Sequence, residues 1–232
     1  MGLLKIEIWS DVICPFCYIG KRKFEKAISQ IPDKGQVEII WKSFQLAPDM
    51  KTDTSISIDQ YLAIHKGFSI EKAREMNGYV TQIAKEEGLI FNFDKSIVAN
   101  TLLAHQMLHF AHTFGKQDIT KERLLQAYFT EGKNIDDKQT LLSLGDEIGL
   151  DSETLSQALN SNTFVKEVEA DIYEAQKLGV RGVPFFVFNR THAISGAQSV
   201  DVFIETIQQA INQSSHDQMV NEGPVCDTFK EC

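Results

Sequence analysis

The chain opens with a strict polar–apolar alternation, Lys5-Ile6-Glu7-Ile8-Trp9, whose period of two predicts a strand. Helical spacing takes over from Tyr18 to Gln30. A second strand pattern, Val37-Glu38-Ile39-Ile40-Trp41-Lys42, follows the breakers Pro32, Asp33 and Gly35. From about Ser55 to about Leu178 nearly everything has helical period. Ser57 and Gln60 have capping-box spacing. Ser69 opens a helix that stops near Gly88, and Asp94 opens another that stops before Gly115. Gly132, Gly149 and Gly179 each follow a further helical stretch, as C-terminal glycines do. Strand signals then return. Phe185-Phe186-Val187-Phe188 is continuously apolar, Asn189-Arg190 suits a tight turn, and Thr191 to Ser195 is the partner strand. Ser199 caps an amphipathic helix to about Asn212, and from Gln213 the chain is polar and aperiodic, as a tail would be.

The order is therefore β-α-β, a long helical block, then α-β-β-α. The first two strands should be parallel neighbours, because a helix connects them. Closing one sheet from the two outer pieces gives an α/β protein resembling a thioredoxin-like fold with a large all-helical insertion subdomain. The expected boundaries are residues 1–50 plus 163–213 for the sheet domain, 51–162 for the insertion and 214–232 for the tail.

The 232 residues can bury a substantial core without disulfide staples. The formal charge of −9 arises with no basic run, which argues against nucleic acid and against anionic membrane surfaces. Lys5, Glu7 and Asp11 interrupt the first apolar run, so it reads as neither a leader nor a membrane span. The expectation is a cytoplasmic protein, where four cysteines point to catalysis, sensing or metal rather than structural bridges.

The chemistry centres on Cys14-Pro15-Phe16-Cys17, set between a strand and a helix. Cysteines at i and i+3 share one helical turn and can reach bonding distance. Pro15 suits the first helical position, which puts Cys14 at the N-cap facing the positive end of the helix dipole. A thiolate there should be stabilised, making Cys14 the nucleophile and Cys17, one turn deeper, the resolving thiol. The competing reading is half a zinc site, but the remaining cysteines, Cys226 and Cys232, lie far away in the tail. Val183-Pro184 is the second feature. A proline opening a buried strand needs a special geometry, and a cis bond beside Cys14 would leave the Val183 N–H and C=O free to pair with an extended substrate. An ordinary trans proline on an edge strand is the alternative.

Ser10-Asp11-Val12-Ile13-Cys14-Pro15-Phe16-Cys17-Tyr18-Ile19-Gly20, the helical insertion, and Gly179-Val180-Arg181-Gly182-Val183-Pro184-Phe185-Phe186 together resemble the DsbA-like family, specifically its FrnE-type branch. Asn100 to His105, Ala127 to Gly132 and Ser195-Gly196-Ala197-Gln198 extend the resemblance over about residues 4 to 212. It implies thiol-disulfide exchange through Cys14 and Cys17, Pro184 in cis, and protein or small-molecule thiols and disulfides as partners. No metal or organic cofactor is implied. The substrate, the direction of exchange, and the choice between monomer and homodimer stay open. A sister branch, the kappa-class glutathione transferases and hydroxychromene-carboxylate isomerases, usually carries Ser at the nucleophile position and uses glutathione. Glutathione is thus a candidate co-substrate, and a glutathione-dependent transferase or isomerase is the alternative function.

Three further features are weighed. His105, His109 and His112 fall on one helix face, where a metal could bridge two of them, but no carboxylate completes a motif. His105 could instead line the cleft beside Cys14. Cys226 and Cys232 could form an auxiliary redox pair, a static bridge, or nothing. Phe16 and Phe185 could form an apolar rim around Cys14 for substrate docking.

Overall fold

A computed structural model describes residues 3–32 and 35–221, with side chains through residue 213. β1 (Leu3–Ser10), α1 (Pro15–Ser29) and β2 (Gln36–Ser43) form the opening unit, and β1 and β2 pair in parallel from Leu3–Gln36 to Ser10–Ser43. Their alternation decides what each face meets. Leu4, Ile6 and Ile8 point to one side, where they bury against Phe24 and Ala27 of α1. Trp9 points to the other.

At the far end of the chain, β5 (Phe185–Phe188) and β6 (His192–Ser195) form a hairpin, and β5 runs antiparallel to β1. The four-stranded sheet has the order β2-β1-β5-β6. Asn189 and Arg190 both have positive φ, 48° and 58°, the backbone of a two-residue hairpin turn. Arg190 is held there by ion pairs to Glu7 and Glu174. α9 (Val200–Asn221) adds Phe203, Ile207 and Ala210 to the core under α1. α9 continues past the expected end at Asn212. The first helix-stopping residues in the sequence after Ser199 are Gly223 and Pro224, so loss of amphipathic pattern did not end the helix.

Between these pieces lies the insertion: β3 (Asp53–Ser57), α2 (Ile58–Lys66), α3 (Ile70–Glu86), β4 (Ile97–Val98), α4 (Leu102–His112), α5 (Gln117–Gln126), a π-helical turn (Ala127–Glu131), α6 (Lys138–Glu147) and α7 (Ser152–Asn160). The Ser57–Gln60 capping box and the Ser69 cap are present. The insertion is not purely helical, because β3 and β4 form a short antiparallel ribbon. Asp94 does not start a helix. Asn100 holds this stretch against the chain after β2: its Nδ2 donates to Pro48 O and Met50 O, and its Oδ1 takes Leu102 N–H. α4 therefore begins at Leu102.

The core of the insertion is continuous with the sheet domain through α1, since Val12, Tyr18 and Ile19 pack among the insertion's buried residues. α8 (Val165–Lys177) then covers the second face of the sheet, with Ala175 and Val180 against Trp9 and Val187.

Asp171 of α8 ties this face together. Its carboxylate accepts Ser43 N–H and Lys42 Nζ, both at 2.8 Å, and lies 3.1 Å from His109 Nε2; its carbonyl accepts Trp9 Nε1–H at 2.9 Å. Burial works against this carboxylate, but the bonds from His109, Lys42 and Ser43 outweigh it and hold its pKa below the usual range. Because the folded pKa is depressed, the stabilisation is full at neutral pH and drains away as pH falls through the folded value. Asp171→Ala strands the buried Ser43 N–H and the half-buried Lys42 and His109, and should cost about 1–3 kcal/mol. Urea unfolding at pH 7 and at pH 3 checks both points: the wild-type–variant gap should be wide at pH 7 and narrow in acid.

Candidate active site

β1 delivers the chain to a tight loop, Asp11-Val12-Ile13, and α1 starts at Pro15 with Cys14 as its N-cap. Asp11 fixes that loop. Its Oδ1 accepts Val12 N–H at 2.8 Å and lies 3.2 Å from His105 Nε2, and its Oδ2 accepts Leu46 N–H at 2.8 Å. Both Asp11 and His105 are fully buried. Burial lowers the His105 pKa against the raising effect of Asp11, so His105 is neutral and its Nε2–H donates. His105 thus sits behind the loop as its support and lines no open cleft.

Cys14 and Cys17 are free thiols, 4% and 1% exposed. Cys14 Sγ makes no capping hydrogen bond with α1; it lies 3.5 Å from Val183 O, to which its S–H donates. The Val183–Pro184 peptide is cis. Pro184 is buried against α1 because residue 20 is glycine: a Cβ there would lie 2.9 Å from Pro184 Cγ. Phe16, at 41% exposure, is the open apolar side chain of the motif, and Phe185 is half-buried against Trp9. The structure therefore brings Cys14, Cys17, Val183 and Pro184 together, with Phe16 at the surface beside them.

The neighbouring Cys17 sulfur, followed by burial, pushes the Cys14 thiol well above its ordinary value. Burial opposes ionisation of Cys17 as well, but the Cys14 thiol, the Lys121 charge, the Ser10 hydroxyl and the Asp11 backbone N–H together bring it below that value. Cys14 turns to Val183 O, while the Ser10 hydroxyl and the Asp11 backbone face Cys17. Ionising one sulfur suppresses the other, so the pair titrates as a unit.

The three histidines of α4 are not assembled. His105 is bound to Asp11, His109 to Asp171 and Ser43, and His112 is exposed. Among the described residues no group of three or more metal-ligating side chains converges. Cys226 and Cys232 lie outside the described residues.

Two parts of the site were not singled out in the sequence. Lys121 of α5 is one. The other is a cavity of about 260 Å³ beside Pro15, walled by Ile13, Leu46, Tyr61, Phe93 and Tyr128. Tyr128 comes from the π-helical turn, and burial raises its pKa. Neither has a local signal: Lys121 lies in a polar stretch, and the cavity's walls come from five separate segments.

A family model for the DSBA-like thioredoxin domain matches residues 5–208. The chain belongs to the DsbA-like thioredoxin family. It is 32% identical over 205 residues to YwbO of Bacillus subtilis (strain 168), an uncharacterized protein, with 87% of this chain and 94% of YwbO covered. The crystal structure of the probable DsbA oxidoreductase SCO1869 from Streptomyces coelicolor superposes with a TM-score of 0.84 at 33% identity, covering 90% of this chain and 91% of that one. The cytosolic disulfide reductase DsbM from Pseudomonas aeruginosa shares the fold, with a TM-score of 0.60, 16% identity, and 93% and 99% coverage.

Gly20→Ala tests the packing of this DsbA-like site. The added methyl forces Pro184 outward, an overpacking change worth about 1–3 kcal/mol. The variant should unfold earlier in a thermal melt, and its Cys14 should react faster with a thiol-directed alkylating reagent, because the cover over the sulfur is displaced.

Proposed function

We propose that this chain is a thiol-disulfide oxidoreductase in which Cys14 exchanges with substrate and Cys17 resolves. The observation that carries the reading is the meeting of two free thiols at the head of α1 with the Val183 carbonyl, 3.5 Å from Cys14 Sγ. Of the two sulfurs, Cys14 is the less covered and faces the segment that an extended substrate would pair with. The two sulfurs titrate as a unit, so the Cys14 proton passes to Cys17 as Cys14 attacks.

In the reducing direction Cys14 Sγ attacks a substrate disulfide. The Cys14–substrate S–S bond forms, the substrate's own S–S bond breaks, and the departing thiolate takes a proton. Cys17 then loses its proton and attacks Cys14 Sγ, closing the Cys14–Cys17 disulfide and releasing the second substrate thiol. Two electrons pass from the dithiol to the substrate. The oxidising direction is the reverse. No cofactor enters either sequence.

Val183, Pro184 and Phe16 are the substrate-facing residues on this reading, and protein or small-molecule thiols and disulfides are the substrates. Glutathione fits as a co-substrate: DsbM, which shares the fold, has also been solved with GSH. A pair of cysteines favours exchange over a glutathione-activating transferase, which needs one hydroxyl or thiol only. Among the described residues no helix is long and apolar enough to cross a membrane. We assign the chain to the FrnE-type branch, and with it to the cytoplasm, on the resemblance carried by Ser10 to Gly20 and Gly179 to Phe186.

Cys17→Ser is the test. Mixed with oxidised glutathione or a disulfide-bonded protein, it should hold a stable mixed disulfide at Cys14, read by intact-mass spectrometry under non-reducing conditions. Cys14→Ser should trap nothing and lose exchange activity. Turnover that survives Cys14→Ser would sink the assignment.

A further inference from the structure

α2 is held in place without being packed down. Ile58, Tyr61, Leu62 and His65 recur at i, i+3, i+4 and i+7, the stripe that a helix turns toward a core. Yet α2 buries none of its residues fully. All four instead line the cavity of about 260 Å³ beside Pro15. Polar bonds hold the helix there. The Ser57–Gln60 capping box fixes its start, Gly67 at φ 70° closes its end, and Asn77 Nδ2 of α3 donates to Asp59 Oδ1 at 2.7 Å. The stripe therefore faces the cavity, with Ile13, Pro15 and Phe93 among the other walls.

Tyr128 gives the cavity a deep polar point. The residue is 2% exposed and lines the cavity, and its hydroxyl makes no hydrogen bond among the described residues. The polar atoms sealed in without a partner are Ser10 Oγ, His105 Nδ1, Gln106 Oε1, Lys121 Nζ and Arg123 Nη1. Tyr128 Oη is not one of them, so it faces open space, and the space its ring lines is this cavity. Burial keeps the phenol protonated, which makes it a donor. It is presented by the π-helical turn, a geometry found mostly at functional sites. The remaining polar walls lie further out or are engaged: His65 and Lys66 are exposed, and Asn77 is bonded to Asp59.

We propose that this cavity binds a small apolar molecule, about one ring with a short substituent, whose inner end carries an oxygen that accepts a hydrogen bond from Tyr128. Size and chemistry both select this class. Cavities of about 150 Å³ accept benzene, and this one is larger. A bound water needs about two to four polar partners, more than the deep end supplies. A leucine or phenylalanine side chain of a polypeptide would cover the hydroxyl without pairing it. An oxygen-bearing ring satisfies the donor and the apolar walls together. The site goes beyond the exchange reading, since it needs neither sulfur, and it sets its ligand against Pro15 at the head of the redox helix.

The test is an NMR titration of the full-length protein with two sulfur-free probes of nearly equal shape, acetophenone and α-methylstyrene, which differ in carrying C=O or C=CH2. Acetophenone should bind saturably below about 5 mM, with shifts centred on Ile13, Leu46, Tyr61, Leu62 and Tyr128. Tyr128→Phe should weaken acetophenone about fivefold, the worth of one hydrogen bond, and change α-methylstyrene less than about twofold. Leu62→Trp, which fills the cavity, should abolish both. Absent or unsaturable binding, shifts centred elsewhere, or a Tyr128→Phe effect that is missing or equal for the two probes overturns the proposal. If Tyr128→Phe does not fold, the carbonyl 13C resonance of labelled acetophenone decides in the parent protein. A bound position at or downfield of that in water supports the hydrogen bond, and an upfield move, as in an apolar solvent, overturns it. Neither probe exchanges with a thiol, so a failed titration leaves the exchange reading intact, and failure of the Cys17→Ser trap leaves this site intact.

Discussion

The site depends on one buried carboxylate. Asp11 receives N–H groups from Val12 and Leu46 and the ring N–H of His105, so it joins the end of β1, the segment after β2 and α4 at a single point. A buried charge is tolerated only when its lone pairs are filled, and here three donors from three parts of the chain fill them. The loop that follows cannot shift without breaking one of these bonds. That constraint sets where α1 begins, and with it the height of Cys14 and Cys17 relative to Val183.

α1 also belongs to two cores. Phe24 and Ala27 pack under the sheet with Phe203 and Ile207, whereas Tyr18 and Ile19 pack with Phe91, Phe129 and the helices of the insertion. Along its flank toward α5, Arg22 and the buried Lys21 pair with Glu122. The redox helix is thereby gripped from both sides, and the insertion contributes charge as well as apolar surface to the site. This explains how a thioredoxin-like sheet can carry more than a hundred extra residues without loosening the turn that bears the cysteines.

What was legible in the sequence was local. Alternation in Lys5 to Trp9, the proline after Cys14, the Ser57–Gln60 box and the Asn189-Arg190 turn each state their structure within a few residues, and each is found in place. What was not legible depended on distant partners. Asp94 looks like a helix start until Asn100 is seen held by Pro48 and Met50. His105 on a helix face suggests a cleft, but Asp11, ninety-four positions away, turns it into a buried strut. The N-cap position of Cys14 points its sulfur at its own helix, but Val183, 169 positions away, is what Sγ meets. Gln117 and Lys121 give α5 a polar look although both are buried, because both lie against Trp41 of β2.

Gln117 has an effect beyond its own helix. Its side-chain amide accepts Trp41 N–H and donates to Trp41 O, both at 2.9 Å, which is the pairing that another strand would make. Two residues along, Asp171 takes Ser43 N–H. The outer rim of β2 is thus occupied by side chains in place of backbone. A foreign polypeptide is blocked from extending the sheet along Trp41 to Ser43, so the parallel border is sealed there and the sheet's other border is β6.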